Sequence, residues 1–472
     1  MDARLSDGHV VAESDISKAA QTRKFSVLAR SLFGNGYVTA ILCLAAALWI
    51  VSTFFFLRAR FDKVGAQCAL NDFACYCVYG NAMRHGLNPY EDSLNAVAIF
   101  HHLSVRGTVR SGYPPTYVMS MEPLTLLTFP AAYWFWTGLN FAALILSLYL
   151  LLRSELELDA KTALSLGALM IFYQPITVSF GWGQPQMILL LIMIGAWMCF
   201  KRDKDLAGGF ILAYGGLLKI YPLFLVGYLV AKRKWRAVIY TAVGLAVGGI
   251  VTMTLLGPER TLSFGGRLPD RVNGGWLASI HALGSPSLIN LDAFISRTFW
   301  ELTGTVWNGP GDWIRRLLVL AAQLALLALT FRETWRNPND RRADHRAFAL
   351  WMALIALVAP TAWLHYMILL LPTFAVVGAA AIRGQARSSA VWLASISFLL
   401  IVLVVPADFL VSLPPLFSLI DYTDSYFMRV GSFLPHEFVK TLADVWFFVM
   451  TIMAYTAAYR LTIESPSAQS VA

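Results

Sequence analysis

Two residues of this chain combine unusual surroundings with chemistry they could perform. Asp72 opens the stretch DFACYCVYGNAMRHGLNPYED, which lies just after a long apolar run. A carboxylate held at a membrane–water boundary can act as a general base toward a hydroxyl. Asp is also a favoured helix N-cap, and Phe73, Tyr76, Val78, Tyr79 and Met83 recur behind it at near-helical spacing. The two roles are compatible, because a cap would hold the carboxylate in place. Lys219 is the second residue. It falls inside an apolar run, where an ammonium is costly and by default faces a polar cavity. Snorkelling to the interface is the alternative, and Tyr221-Pro222 beside it suggests a helix break instead.

The elements that must position these residues are apolar. Of 472 residues, 57% are hydrophobic and 14% charged, against about 25% charged in an ordinary soluble domain. Apolar runs of roughly 17–25 residues are long enough to cross a ~30 Å hydrocarbon layer as helices. The expected fold is therefore an all-α, integral-membrane bundle of about twelve helices. They are read at Tyr37–Leu57, Pro114–Pro130, Ala132–Leu152, Thr162–Phe180, Gln184–Phe200, Leu206–Val230, Ala237–Leu256, Trp313–Phe331, Ala347–Thr361, Leu364–Ile382, Ser389–Val411 and Phe438–Leu461. Residues 37–462 form one membrane domain between polar tails at 1–36 and 463–472. Outer loops are expected at 58–112, 257–312 and 412–437, with short amphipathic helices lying on the membrane surface in the first. The last loop carries Asp421, Asp424 and Glu437 against Arg429.

Orientation follows from the basic residues. Lys232, Arg233, Lys234 and Arg236 share one short linker, Arg332, Arg336, Arg341, Arg342 and Arg346 another, and Arg383 and Arg387 a third. Such clustering marks the cytoplasmic side, and both chain ends are expected there. The first apolar run, about twenty residues from Tyr37, follows Lys18, Arg23, Lys24 and Arg30 and reads as a retained span, not a cleaved signal. The formal charge of +9 does not point to nucleic acid, because no basic run is interleaved with aromatics outside the membrane. Simple alternation puts Lys201, Arg202 and Lys204 outside and Gly181–Gln184 inside, and it is the expectation carried forward. The alternative starts from Pro114, Pro115, Pro123 and Pro130, which make a poor regular helix. If that stretch and Leu206–Val230 are broken, re-entrant elements, the lysines fall inside and Gln184 faces out.

Cys43 and Cys199 lie in apolar runs, whereas Cys68, Cys75 and Cys77 lie in the first outer loop, where a disulfide can persist. One bridge from Cys68 to Cys75 or Cys77, or three free thiols, are both compatible with the spacing.

The run Asp72-Phe73, Tyr76, Ala82, Gly86 and Pro89-Tyr90 resembles the first-loop pattern of glycosyltransferase family 87. The resemblance continues in Tyr113-Pro114-Pro115 with Pro123-Leu124, then Gly183-Gln184, then Lys219-Ile220-Tyr221-Pro222 followed by the basic linker and Trp235. It resumes more weakly at Ser285–Arg297 and at Ala359-Pro360, Trp363 and His365-Tyr366. The order and spacing of these motifs, more than any one of them, carry the likeness from about Asp72 to Pro372. Pro185 and Gln186 follow Gly183-Gln184 where the family usually has Asn. Ser285-Pro286-Ser287 stands where Asn-Gln-Ser is common, and Tyr366 replaces a second His. These departures bear on the sugar and the acceptor.

The resemblance implies a GT-C-class membrane enzyme that takes a sugar, mannose by default, from a polyprenyl-phosphate donor. The sugar would pass with inversion to a hydroxyl on a glycolipid or cell-envelope glycan. The site would sit on the outer side of a bacterial-type cytoplasmic membrane. Such transfer needs a base for the incoming hydroxyl and donors or cations for the departing phosphate. Asp72 is the expected base. His365, Lys219, Arg297, Gln184 and Tyr113 are the expected donor-phosphate and sugar contacts, Arg297 by its capacity for bidentate phosphate binding. Each has a plainer reading: an interfacial His, a snorkelling Lys, a solvated Arg, a turn after Gly181-Trp182-Gly183, and boundary aromatics for Tyr113 and Trp363.

No cofactor is expected, and metal-independent chemistry is. His101-His102 has no spaced carboxylate partner, and Walker, zinc and serine-elbow signatures are absent. The expected partners are the lipid-linked sugar donor, the glycolipid or glycan acceptor and membrane lipids, with no nucleic acid. A rival reading is a carrier or flippase without catalysis, which should show repeated halves with interrupted helices in corresponding places. No such repeat is visible. A catalytically dead scaffold is the third reading.

Overall fold

The computed structural model describes residues 26–64, 72–91, 94, 111–272, 288–303, 312–336, 341–360, 362–403 and 436–463. Cys68, Asp92, His101, His102, residues 285–287, most of the loop at 412–437 and the outer parts of both tails lie outside the described residues.

Among the described residues every regular element is a helix, as backbone satisfaction in lipid demands. We number them α1 (Gly36–Val64), α2 (Asp72–Arg84), α3 (Pro115–Met121), α4 (Phe129–Tyr149), α5 (Ala160–Ile171), α6 (Gln174–Trp182), α7 (Gln186–Lys201), α8 (Asp205–Leu218) and α9 (Leu225–Ala231). There follow α10 (Trp235–Leu256), α11 (Pro258–Val272), α12 (Leu291–Thr303), α13 (Asp312–Arg336), α14 (Arg341–Val358), α15 (Leu371–Ile382), α16 (Ser388–Leu403) and α17 (His436–Ile463). Short 3₁₀ segments at Glu122–Leu126, Tyr221–Phe224 and Leu364–Leu370 follow α3, precede α9 and precede α15. Among the described residues, five helical stretches are long and apolar enough to cross a membrane, or six if the pair α5–α6, bent by 57°, counts as one.

Polar contacts sort the helix ends into two faces. On one, Glu155 is buried and takes salt bridges from Lys201 and Arg202, and His345 meets the Glu155 carbonyl oxygen at 3.0 Å. Nearby pairs are Lys232–Asp344 at 3.0 Å and Lys234–Asp203 at 2.7 Å. Arg383 donates to the Leu156 carbonyl, and Arg233 lies 4.2 Å from the Trp335 ring centre. This is the basic face. The opposite face gathers α2, the Tyr113 turn, the α6–α7 turn, the Lys219 break and the docked start of α12.

Simple alternation fails between residues 114 and 230. Asp203 and Lys234, on either side of the α8–α9 segment, are in contact, while Lys219 in its middle reaches the opposite face. That segment leaves the basic face and returns to it. Likewise, Tyr113 and Phe129 bracket α3 and its 3₁₀ extension, yet both pack near α2: Tyr113 lies 4.8 Å from Tyr76 and Phe129 5.9 Å from Phe73, ring to ring. The physical cause is helix breaking. Pro115 opens α3 and Pro123 sits in its 3₁₀ continuation, while α8 ends at extended Lys219 with Pro222 close behind. Lys201, Arg202 and Lys204 therefore belong to the basic face, and Gln184 to the other.

Helix α2 differs from the surface helix expected. Phe73, Ala74, Tyr76 to Asn81, Ala82 and Met83 are buried, so both sides are packed. A Cβ on Gly80 would lie 2.9 Å from the Met121 backbone carbon, so glycine is what lets α2 lie against α3 and its extension. Cys75 is disulfide-bonded, whereas Cys77 is a buried free thiol. The cysteine expected at the other end, Cys68, is outside the described residues.

Candidate active site

Asp72 is the first residue of α2, where the positive end of the helix dipole favours a carboxylate. Its Oδ2 accepts a hydrogen bond from Gln184 Nε2, a residue 112 positions away. Gln184 follows Gly183, whose φ of 66° is the left-handed cap that ends α6. The Gly183 carbonyl is held in turn by the Trp136 indole N–H at 2.8 Å. Gln184 Oε1 accepts from Lys219 Nζ at 2.9 Å, and both side chains are buried. The amide orientation is dictated by its neighbours. An ammonium only donates and a carboxylate only accepts, so oxygen must face Lys219 and nitrogen Asp72.

Aromatic rings wall this line. Lys219 Nζ lies 5.4 Å from the Tyr113 ring centre and 5.3 Å from that of Tyr366, within cation–π range. Tyr76 donates to the Tyr113 hydroxyl at 3.0 Å, and Tyr117 packs edge-on against Tyr76 at 4.9 Å. The Tyr90 hydroxyl holds the Tyr113 carbonyl at 2.9 Å. Burial, and then the Asp72 charge, push the Tyr113 phenol well above its ordinary range, so it stays protonated.

His365 is buried in the 3₁₀ segment, its ring 5.2 Å from that of Tyr366. The turn before it is anchored from outside. Trp363 bridges to Leu288, Ile289 N–H donates to Ala362 O at 2.9 Å, and Asn290 Nδ2 donates to Ala359 O at 2.9 Å and Pro360 O at 2.7 Å. Asn290 Oδ1 also accepts from Ala293 N–H at 2.9 Å, capping α12. Arg297, buried on α12, donates to the Leu288 carbonyl at 3.2 Å.

The structure thus brings Asp72, Gln184, Lys219, Tyr113 and Tyr366 into one cluster with His365 beside it. Arg297 connects to that cluster through Leu288 and Trp363, its guanidinium donating to backbone there. Tyr117 and Tyr221, which flank the site, were not singled out by sequence for chemistry, and Tyr366 only as a replaced His. Nothing in the local pattern flags Asn290, whose partners lie 69 and 70 residues away. Among the described residues no three His, Cys, Asp or Glu side chains group as metal ligands.

A carboxylate, a bridging amide and an ammonium in a tyrosine-walled site can accept a proton at one end and stabilise an anion at the other. The profile of glycosyltransferase family 87 matches residues 112–360, starting after Asp72 and ending before His365. A polyprenol-phosphate-mannose-dependent alpha-(1-2)-phosphatidylinositol mannoside mannosyltransferase of Mycobacterium tuberculosis (strain ATCC 25618 / H37Rv) is 26% identical over 288 residues, 56% of this chain. The match spans 61% of that relative's length, less than two thirds. No solved structure matches the chain. The family match takes in more than half of the 472 residues and includes Tyr113, Gln184, Lys219 and Arg297, and on that ground the chain belongs to glycosyltransferase family 87.

Proposed function

We propose that this chain transfers a sugar, mannose by default, from a polyprenyl-phosphate donor to a hydroxyl of a glycolipid or cell-envelope glycan, with inversion. The observation that carries the reading is the line Asp72–Gln184–Lys219, which holds a carboxylate and a buried ammonium at the two ends of one amide. Asp72 takes the proton of the acceptor hydroxyl as its oxygen attacks the anomeric carbon. The bond from that carbon to the phosphate oxygen breaks, and the phosphate leaves with its electron pair. Lys219 steadies the growing negative charge, with His365 and Arg297 on the far side of the donor. Tyr113 and Tyr366 flank the sugar. Direct displacement by a base-assisted hydroxyl inverts the anomeric centre.

Sidedness is part of the proposal. The basic face is assigned to the cytoplasm by the positive-inside bias. The opposite face, with the site and disulfide-bonded Cys75, is assigned to the oxidising outer side of the cytoplasmic membrane.

The test uses purified protein in nanodiscs with labelled polyprenyl-phosphate sugars and a lipid extract, comparing wild type with Asp72→Asn. Asn keeps the size of the side chain and its oxygen can still accept from the Gln184 amide, but it cannot take the proton. A new glycosylated lipid is expected from wild type only, with a ~100–10,000-fold lower rate for the variant and donor binding retained. Equal rates would remove Asp72 from the chemistry, and no product from any donor would sink the transferase reading.

A further inference from the structure

Gln186 is fully buried, yet among the described residues neither its Nε2 nor its Oε1 has a hydrogen-bond partner. Buried polar groups are nearly always paired, and an orphaned one costs the full loss of its hydration. An amide with both ends unmet is doubly costly. Its position is telling. Gln186 is the first residue of α7, two places after Gln184, and α7 packs against the 3₁₀ segment that carries His365. The N-cap of α7 is Pro185, and no side chain caps the helix start. Uncapped N–H groups and the positive dipole end favour an anion there. One more buried orphan lies beside the Lys219 cluster. The Tyr221 hydroxyl belongs to a ring 4.8 Å from Tyr366, one of the two rings that face Lys219.

On the glycosyltransferase reading above, we propose that Gln186 contacts the donor where its sugar meets its phosphate. Phosphate oxygens only accept, so they take Nε2–H; a sugar hydroxyl donates to Oε1. The start of α7 then faces the phosphate, and the Tyr221 hydroxyl adds to the polar lining. A glycosyl phosphate supplies donors and acceptors side by side, which is what an amide with two unmet ends recognises. A bare phosphate would satisfy only the nitrogen. The residue thereby distinguishes a sugar-bearing lipid from the spent carrier.

Gln186→Met tests this. Met nearly matches the shape and removes both hydrogen-bonding groups. Wild type and variant in nanodiscs are melted alone, with a short-chain polyprenyl phosphate, and with the matching polyprenyl-phosphate mannose, and turnover is measured alongside. Expected for the variant are an unliganded melting temperature equal to or above wild type, loss of the extra stabilisation that mannose adds over bare phosphate lipid, and ~10–100-fold lower kcat/KM. Gln186→Glu keeps the acceptor but places charge beside phosphate, so it should bind both lipids more weakly than Met does. If wild type turns over and Gln186→Met melts lower, keeps the mannose increment and turns over normally, a buried water satisfies the amide and this inference alone falls. If wild type binds neither lipid and transfers nothing, the transferase reading falls and takes this one with it.

Discussion

Replacing Gln184 is the sharpest probe of the site, because that one side chain joins the Asp72 carboxylate to Lys219. Gln184→Met fills the space and deletes both hydrogen bonds: the one to Asp72 and the 2.9 Å bond from Lys219. Each involves a charged partner, for which a loss of ~1.5–3 kcal/mol is typical. If both are needed in the transition state, the loss reaches ~3–6 kcal/mol, or ~10²–10⁴-fold in kcat. Because the bonds also exist at rest, part of the loss emerges as a lower melting temperature, and part as lower turnover at saturating donor. Gln184→Glu separates position from charge. It retains the bond to Lys219 but sets a second carboxylate against Asp72. Like charges disfavour ionisation, so the pair's upper titration rises, and both carboxylates are ionised only at higher pH. The acid limb of the pH–rate profile should therefore move upward by ~1–2 units. The assay is transfer of labelled sugar in nanodiscs from pH 5 to 9, with insertion checked by size-exclusion profile. A folded Gln184→Met enzyme within ~3-fold of wild type, on a scale where each ~1.4 kcal/mol is tenfold, would refute the bridging role.

Further outcomes test the scaffold. In a background lacking Cys43, Cys77 and Cys199, a membrane-impermeant thiol reagent should label exposed Arg84→Cys from outside intact cells and exposed Lys204→Cys only after lysis; labelling of both from outside would restore simple alternation. Gly80→Ala should lower stability by ~1–3 kcal/mol through overpacking, since its Cβ would meet Met121 and Glu122 backbone that cannot swing aside, and an unchanged melting temperature would contradict the packing. A phosphine reductant should lower the melting temperature of wild type but not of Cys75→Ser, while buried Cys77 resists thiol labelling until unfolding.

Much of the site is legible in the sequence because its residues are anomalous there. Asp72 and Lys219 are costly in apolar company, and such residues mark function by default. Gln184 is quieter, since Gly183 makes it look like part of a turn, and only the fold reveals that it joins two charges. Re-entry is half visible. Pro114, Pro115 and Pro123 forecast a broken element, and the bias of Lys201, Arg202 and Lys204 points to the basic face, but hydropathy alone counts every apolar run as a crossing. Apolar length does not separate a helix that crosses from two short ones that go in and come back. Asn290 is invisible because its work is done on carbonyls far along the chain, which no local pattern encodes. The burial of α2 on all sides escapes notice because its sequence fits a surface helix equally well. Arg297 is expected among the phosphate contacts, and its hydrogen bond to Leu288 gives it a share in holding the turn before His365.

The two excursions that carry Tyr113 and Lys219 each return the chain to the face it left. In topological terms they are neutral: each contributes an even number of traverses, so neither sets the orientation of later spans. An excursion of this kind can be lengthened, shortened or rebuilt during divergence without inverting the helices downstream. The helices that run from face to face have no such freedom, because losing one flips every later loop. This division lets the segments that carry Tyr113 and Lys219 change in length while the frame keeps its sense.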